Sequence, residues 1–404
     1  MPHFAAPTHR SERATPLLPL LAKPLHIAFL VLALYSFFIV ARLHRSHWDA
    51  STFIVAGDYF IDRTKLVVPI IVLPQSFGYD GQFYYRLGLD PFTSQVTAFG
   101  VTLDNPAYRM QRIGYPLLAW MLSFWQPWLL AWVMVGLNLA GLFAIAWMST
   151  ALALRNGRSA WVGIAPALYP GFIITIERDT TEIVAITFAL AVLSFALKCR
   201  YWWAAAFAVC AVFTRETTLL YLAGFGVVEL FSLVRQRCWS WDLVALAAPA
   251  VVFVAWQWTI ALLWGVSAYS GGSQNLGPPF AGIARFFVTD TAALLRDGWM
   301  SWMFKIHIYW AIAAAMCMLV CALVAFEAMK GSANPGLKIS WVFYLALVMC
   351  FTTSIWIQPY DFFRGFSDCF VTGATLIMLS RHARSVPVLL SVVTPVWVLT
   401  AWLT

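Results

Sequence analysis

Residues 126–158 read QPWLLAWVMVGLNLAGLFAIAWMSTALALRNGR. From Gln126 to Ala153 there is no charged side chain, and the run exceeds the ~20 apolar residues that a helix needs to cross a ~30 Å hydrocarbon layer. It then stops on Arg155 and Arg158. This pattern recurs along the chain. Apolar runs at roughly 25–42, 126–153, 158–174, 181–198, 201–214, 217–234, 241–265, 306–328, 339–357, 366–380 and 385–403 predict about eleven transmembrane helices. Arg155 and Arg158, Lys198 and Arg200, Arg235 and Arg237, Lys330 and Lys338, and Arg381 and Arg384 fall in every second loop. With the basic amino-terminal stretch they mark one side, which the positive-inside rule assigns to the cytoplasm. The expected fold class is an all-α polytopic membrane protein with a cytoplasmic N-terminus. Residues 1–24 form a cytoplasmic tail and 25–404 a single transmembrane domain.

Composition agrees. Of 404 residues, 61% are hydrophobic and only 11% charged, with mean hydropathy +0.76. Soluble domains are roughly a quarter charged. The net charge of +8 is spread over short loops without a long basic run, so it sets orientation and implies no nucleic-acid partner. Seven Cys occur without a CxxC or Cys/His cluster, which argues against a disulfide framework and a zinc site.

The other side collects the polar chemistry. It has two long loops, about 43–125 and 266–305, and three short turns: ERDTTE (Glu177–Glu182), TRET (Thr214–Thr217) and QPYDFFR (Gln358–Arg364). From Arg200 to Arg215 is fifteen residues, about 22 Å of helix. That is short of the membrane, so Arg215 and Glu216 are expected below the outer surface. They are either a functional pair or two ions that neutralise each other. Asp179 or Thr180 is placed to cap the helix near Glu182, and Asp361 the helix after Pro359. The stretch HRSHWDASTFIVAGDYFIDR (44–63) carries apolar residues at helical spacing and suits an interfacial helix.

The stretch FGYDGQFYYRLGLDPF (Phe77–Phe92) sets a carboxylate among aromatics. On a structural reading Asp80 caps a helix from Gly81 to about Leu89, stopped by Pro91, with Phe83, Tyr84 and Tyr85 as interfacial anchors. On a functional reading Asp80 is a base at the membrane surface. Arginines nearby would receive an anionic leaving group, and aromatic faces would stack on sugar.

With an Asp-bearing external loop after the first helix and the segment YDGQFYYRL (Tyr79–Leu87), the chain resembles the GT-C superfamily of integral-membrane glycosyltransferases, in particular proteins that form bacterial cell-surface glycopolymers. The resemblance implies sugar transfer from a polyprenyl-phosphate donor to a glycan or glycolipid acceptor. It implies a bacterial inner membrane and a site facing the periplasm. It implies a catalytic Asp in the first external loop: Asp80, with Asp49 in HWDASTF as rival. Arg215, Arg178, Arg364, Lys305 and His307 are then candidates for the donor phosphate. Glu177, Asp179, Glu216, Gln82, Tyr84, Tyr85, Tyr360 and Asp361 are candidates for sugar or acceptor. SGGSQNLGPPF (Ser270–Phe280) is expected as a flexible cover. No cofactor beyond the lipid-linked donor is expected, and no metal is indicated. A polymerase of lipid-linked units, a flippase or transporter, and a non-catalytic scaffold are the competing readings.

Overall fold

The computed structural model describes residues 23–236, 241–297, 302–330, 333–380 and 385–404. The chain runs as α1 (Pro24–Arg45), α2 (Gly81–Leu89), α3 (Pro106–Met110), α4 (Gly114–Leu122), α5 (Pro127–Arg155) and α6 (Gly171–Glu177). It continues through α7 (Glu182–Ala196), α8 (Tyr201–Thr214), α9 (Thr218–Gln236), α10 (Trp241–Trp264), α11 (Tyr269–Gly272) and α12 (Ala281–Asp297). It ends with α13 (Trp302–Met329), α14 (Pro335–Met349), α15 (Thr353–Ile357), α16 (Pro359–Leu379) and α17 (Ser385–Leu403). Two small strand pairs brace the first long loop. One is parallel, with Ala56 opposite Val72, and one antiparallel, with Ala98 opposite Val101.

Most apolar runs become single helices near their expected bounds, but 158–174 is broken into a 3-10 segment and α6, 339–357 is split into α14 and α15, and the helix expected at 366–380 already starts at Pro359. The helices are also unequal. Seven are long and apolar enough to cross a membrane; α6 with the 3-10 segment Ala160–Leu168, bent by 56°, makes an eighth if the pair is one span. Pro166 and Pro170 lie in or beside that break, as expected where rings remove backbone donors. α7, α8 and α14 have 15, 14 and 15 residues, only ~21–23 Å long. Their lipid-facing neighbours stay apolar outside as well as in: Phe37 on α1, Trp258 and Leu262 on α10, and Trp402 on α17 are all strongly exposed. Helices apolar all round are solvated by lipid, and the protein is a polytopic helical membrane protein.

α16 is the axis of the bundle, the most buried of the long helices, packed between α13, α14 and α6. On it Asp361, Arg364 and Asp368 fall at spacings of three and four, hence on one face. That face meets the start of α7 and the end of α8. The starts of α7 and α16 and the end of α8 thus bring their charged residues together.

Several local expectations are corrected. Residues 44–63 form no interfacial helix. A 3-10 turn at Ala50–Ile54 buries Phe53 and Ile54 in the core, and a β-strand at Ala56–Gly57 follows. Three acids in that stretch hold backbone instead: Asp49 accepts from Ser51 N, Asp62 from Thr64 N, and Asp58 from Gln75 N and Ser76 N. Phe83, Tyr84 and Tyr85 are fully packed and not anchors at a lipid surface. The segment expected as a flexible cover is stitched to the end of α14, with Gly277 N on Cys350 O, Phe280 N on Met349 O and Thr352 N on Asn275 O. Of the expected tail, residues 1–24, only Lys23 and Pro24 fall among the described residues.

Candidate functional site

α2 starts at Gly81 as its sequence suggests, but Asp80 makes no cap hydrogen bond to it. The reason is visible at Gly81. A Cβ there would lie 2.4 Å from Arg178 O and 2.7 Å from Ile54 O, so only glycine lets the helix start lie against the ERDTTE turn. Gly78, at φ +64, turns the chain into this approach. Asp80 is thereby thrust at two guanidinium groups, Arg109 Nη1 at 2.8 Å and Arg364 Nη1 at 2.8 Å.

From these contacts an ion network extends inward. Arg364 Nε donates to Glu182 Oε1 at 3.0 Å. Arg215 Nη1 lies 3.4 Å from the same oxygen, donates to Ser367 Oγ at 3.0 Å, and gives Nη2 to Arg364 O at 3.0 Å. Asp368 stands 3.6 Å from Arg215 Nε and accepts from Thr217 Oγ1 at 2.7 Å. Arg112 grips Glu216 with both arms, Nε on Oε2 at 2.8 Å and Nη2 on Oε1 at 2.5 Å, while also donating to the hydroxyls of Tyr84 and Tyr108. Arg109 holds Asp104 in the same fork geometry, which suits a planar guanidinium. Arg215 and Glu216, adjacent in sequence, therefore do not neutralise each other; each answers an ion from another segment.

Tyr79 closes the outer edge. Its hydroxyl donates to Asp361, and its ring lies 5.0 Å from the Arg364 guanidinium and 4.6 Å from that of Arg178. Arg178 is stacked on the other side by Tyr360 at 3.9 Å. Its nearest carboxylate is Glu177 at 3.8 Å, and its buried Nε has no hydrogen-bond partner. Glu177 also faces Arg42 of α1 at 3.4 Å.

The electrostatics follow. Burial alone would raise the Asp80 pKa, but Arg109 and Arg364 outweigh it and hold the carboxyl well below the usual range. Burial opposes ionisation of Glu216 too, and Arg112 overcomes it. Asp179 is the contrast. It is fully buried at φ 44, ends α6 in a left-handed turn, and neither oxygen has a hydrogen-bond partner. Burial pushes its pKa well above the ordinary value, with Asn138 and Tyr115 as its polar neighbours. A short polar side chain tolerates that backbone.

Of the residues singled out in the sequence, the structure gathers Asp80, Glu177, Arg178, Arg215, Glu216, Tyr84, Tyr360, Asp361 and Arg364. Asp49 sits apart as the cap of its 3-10 turn. Gln82 is engaged by Gly57 N and Phe77 O, bracing the loop. Tyr85 is core. His307 lies in the second turn of α13, and the Lys305 side chain lies outside the described residues. Neither Asp179 nor Thr180 caps α7, whose N-cap is Thr181 without a side-chain bond. Asp361 lies inside the first turn of α16, whose cap position is Gln358.

Arg109, Arg112, Tyr108 and Asp104 were missed, as were roles for Tyr79, Glu182 and Asp368. A signal existed: in NPAYRMQR (105–112) an Asn-Pro helix start precedes two Arg three apart, one face of a helix. Comparison with protein-family models, curated proteins and solved structures returned no match.

Proposed function

We propose that this protein is a membrane glycosyltransferase of GT-C type. It would move a sugar from a polyprenyl-phosphate donor to a cell-surface glycan or lipid acceptor, with inversion, at the outer face of a bacterial inner membrane. In this reading all eleven apolar segments cross the bilayer, the three short ones where the hydrocarbon is locally thinned, and the N-terminus is cytoplasmic. The observation that carries the reading is that Asp80 leaves its own helix uncapped to sit between Arg109 and Arg364. That is a carboxylate with anion-binding groups at hand.

The chemistry then runs as one displacement. The acceptor hydroxyl attacks the anomeric carbon, its proton passes to Asp80, and the bond from that carbon to the phosphate oxygen breaks. The leaving polyprenyl phosphate gains negative charge, which guanidinium donors stabilise. Arg215 already spends its donors inside the network. Arg178, stacked between Tyr79 and Tyr360 and with no hydrogen bond at Nε, only the 3.8 Å contact to Glu177, has capacity to spare for a phosphate. An incoming phosphate would also compete with Asp80 for Arg109 and Arg364, weakening the pairs that depress its basicity. Donor binding thus prepares the base. No described cluster of three His, Cys, Asp or Glu is placed for a metal, and the proposed roles need only these side chains.

The test is release of polyprenyl phosphate from a panel of polyprenyl-phosphate sugars by wild type, Asp80→Asn and Asp49→Asn. Asp80→Asn is expected to lose about 100-fold or more, while Asp49→Asn keeps turnover within a few-fold. The reverse pattern moves the base to Asp49. A carrier of lipid-linked saccharides is the second reading, favoured by the uncompensated Asp179. Donor crossing vesicles without being consumed would select it.

A further inference from the structure

At the end of the bundle opposite Asp80, α7, α8, α9, α10 and the start of α14 enclose a pocket of about 360 Å³. Ala204, Ala205 and Ala208 of α8 put three small side chains on one face and leave the space open. The size falls within the ~300–1,000 Å³ of small-molecule sites. Most of the wall is aliphatic; Glu229, Ser232, Tyr201 and Asn334 are its polar groups.

Glu229 is the anomaly. It lies within α9, two turns before Gln236, half-buried, and no ion pair or hydrogen bond engages it among the described residues. The negative charge of Asp242, at the start of α10, adds to that of Glu229. The α14 N-terminus also lines the pocket, but the Asn334 side chain already takes its Leu337 N–H. An ionisable group inside a spanning helix without a partner is costly. Every carboxylate of the Asp80 network, by contrast, meets an arginine or a tyrosine.

We propose that this pocket binds an amphiphile with a protonated amine and an apolar tail, the amine on Glu229 and the tail along the α8 alanines. A single carboxylate calls for a single compact cation. The aliphatic wall calls for an alkyl chain, and no three-ligand group for a metal is present among the described residues. The site is independent of the glycosyl-transfer reading.

The test uses the purified full chain and tritiated dodecylamine, displaced in turn by unlabelled dodecylamine, dodecanol and dodecyl sulfate. Wild type is expected to bind one amine saturably, about tenfold tighter than the alcohol. Glu229→Gln, nearly isosteric, is expected to bring the two within about twofold by removing the charge-assisted contact. Ala205→Trp is expected to abolish both by filling the space; if it does not fold, Ala204→Leu makes the same comparison. Equal affinity for amine and alcohol in wild type means bulk lipid fills the pocket and overturns the proposal. An amine preference that survives Glu229→Gln, or a preference for dodecyl sulfate, does so as well.

Discussion

The Asp80 ion network and the Glu229 pocket treat buried charge in opposite ways. Around Asp80, four arginines meet five carboxylates, and each acid has at least one guanidinium within 3.6 Å. At the other end Glu229 faces a mostly aliphatic pocket without an ion pair among the described residues. Compensation draws the first end shut, because paired ions pull their segments together. The second stays open where the small Ala204, Ala205 and Ala208 leave the space unfilled. The first end also couples segments far apart in the chain: Asp80 and Arg364 are 284 positions apart. Its ion pairs therefore report on the whole fold, whereas the Glu229 pocket depends on the local packing of neighbouring helices.

The largest expected effect comes from breaking the compensated end. Arg364→Met removes the one cation shared by Asp80 and Glu182. Asp80 keeps Arg109, while Glu182 keeps only the longer contact to Arg215. Removing one partner of a buried ionic network typically costs about 3–5 kcal/mol. Denaturation of the detergent-solubilised variant should show a loss of this order, and a loss under about 1 kcal/mol would mean the network is solvated and weak. The same measurement on Glu229→Gln should show little change, since no partner is stranded.

This contrast also marks how much the sequence revealed. Helix positions were legible because hydrophobicity repeats over whole spans, and α2 was legible to the residue from Asp80-Gly81 and Pro91. The polar turns were legible as a set from charge and side. Their partners were not, because pairing is a property of three dimensions. Arg215 and Glu216 are neighbours in sequence, yet one answers Glu182 and Asp368 and the other Arg112. Asp80 reads as a cap by local rules, and only the approach of the ERDTTE turn overrides them. Arg109 and Arg112 lie in the long first loop, where only their spacing of three hints at a shared helix face. The Glu229 pocket is a gap between helices, and no residue pattern announces a gap.

A smaller effect is expected at the approach itself. Gly81→Ala should gain helix propensity, worth up to ~1 kcal/mol. The added Cβ meets Arg178 O and Ile54 O, both backbone, which cannot swing away. Overpacking of this kind costs about 1–3 kcal/mol, so the clash should win and Tm should fall. The sharper readout is function: if α2 backs away, Asp80 leaves Arg364 and donor turnover falls with it. A stabilised, fully active Gly81→Ala protein would show that the close approach is not needed.

The smallest expected effect is in pH dependence, and it separates the two ends again. Asp80 has its pKa depressed by Arg109 and Arg364 against the opposing effect of burial. A depressed native pKa means the folded state binds its proton less readily than the unfolded chain does. Its stabilising contribution is therefore fully present above the unfolded carboxylate value of about 4, and is lost as pH falls below that value toward the depressed native one. Between pH 8 and 5 Asp80 should contribute no slope to stability. Wild type and Asp80→Asn should then give parallel Tm–pH curves in that window and converge only in stronger acid. If wild type loses its advantage over Asp80→Asn already between pH 7 and 5, the carboxyl titrates there. The ion pairs to Arg109 and Arg364 would then not persist at equilibrium, and Asp80 would be as uncompensated as Glu229 in its pocket.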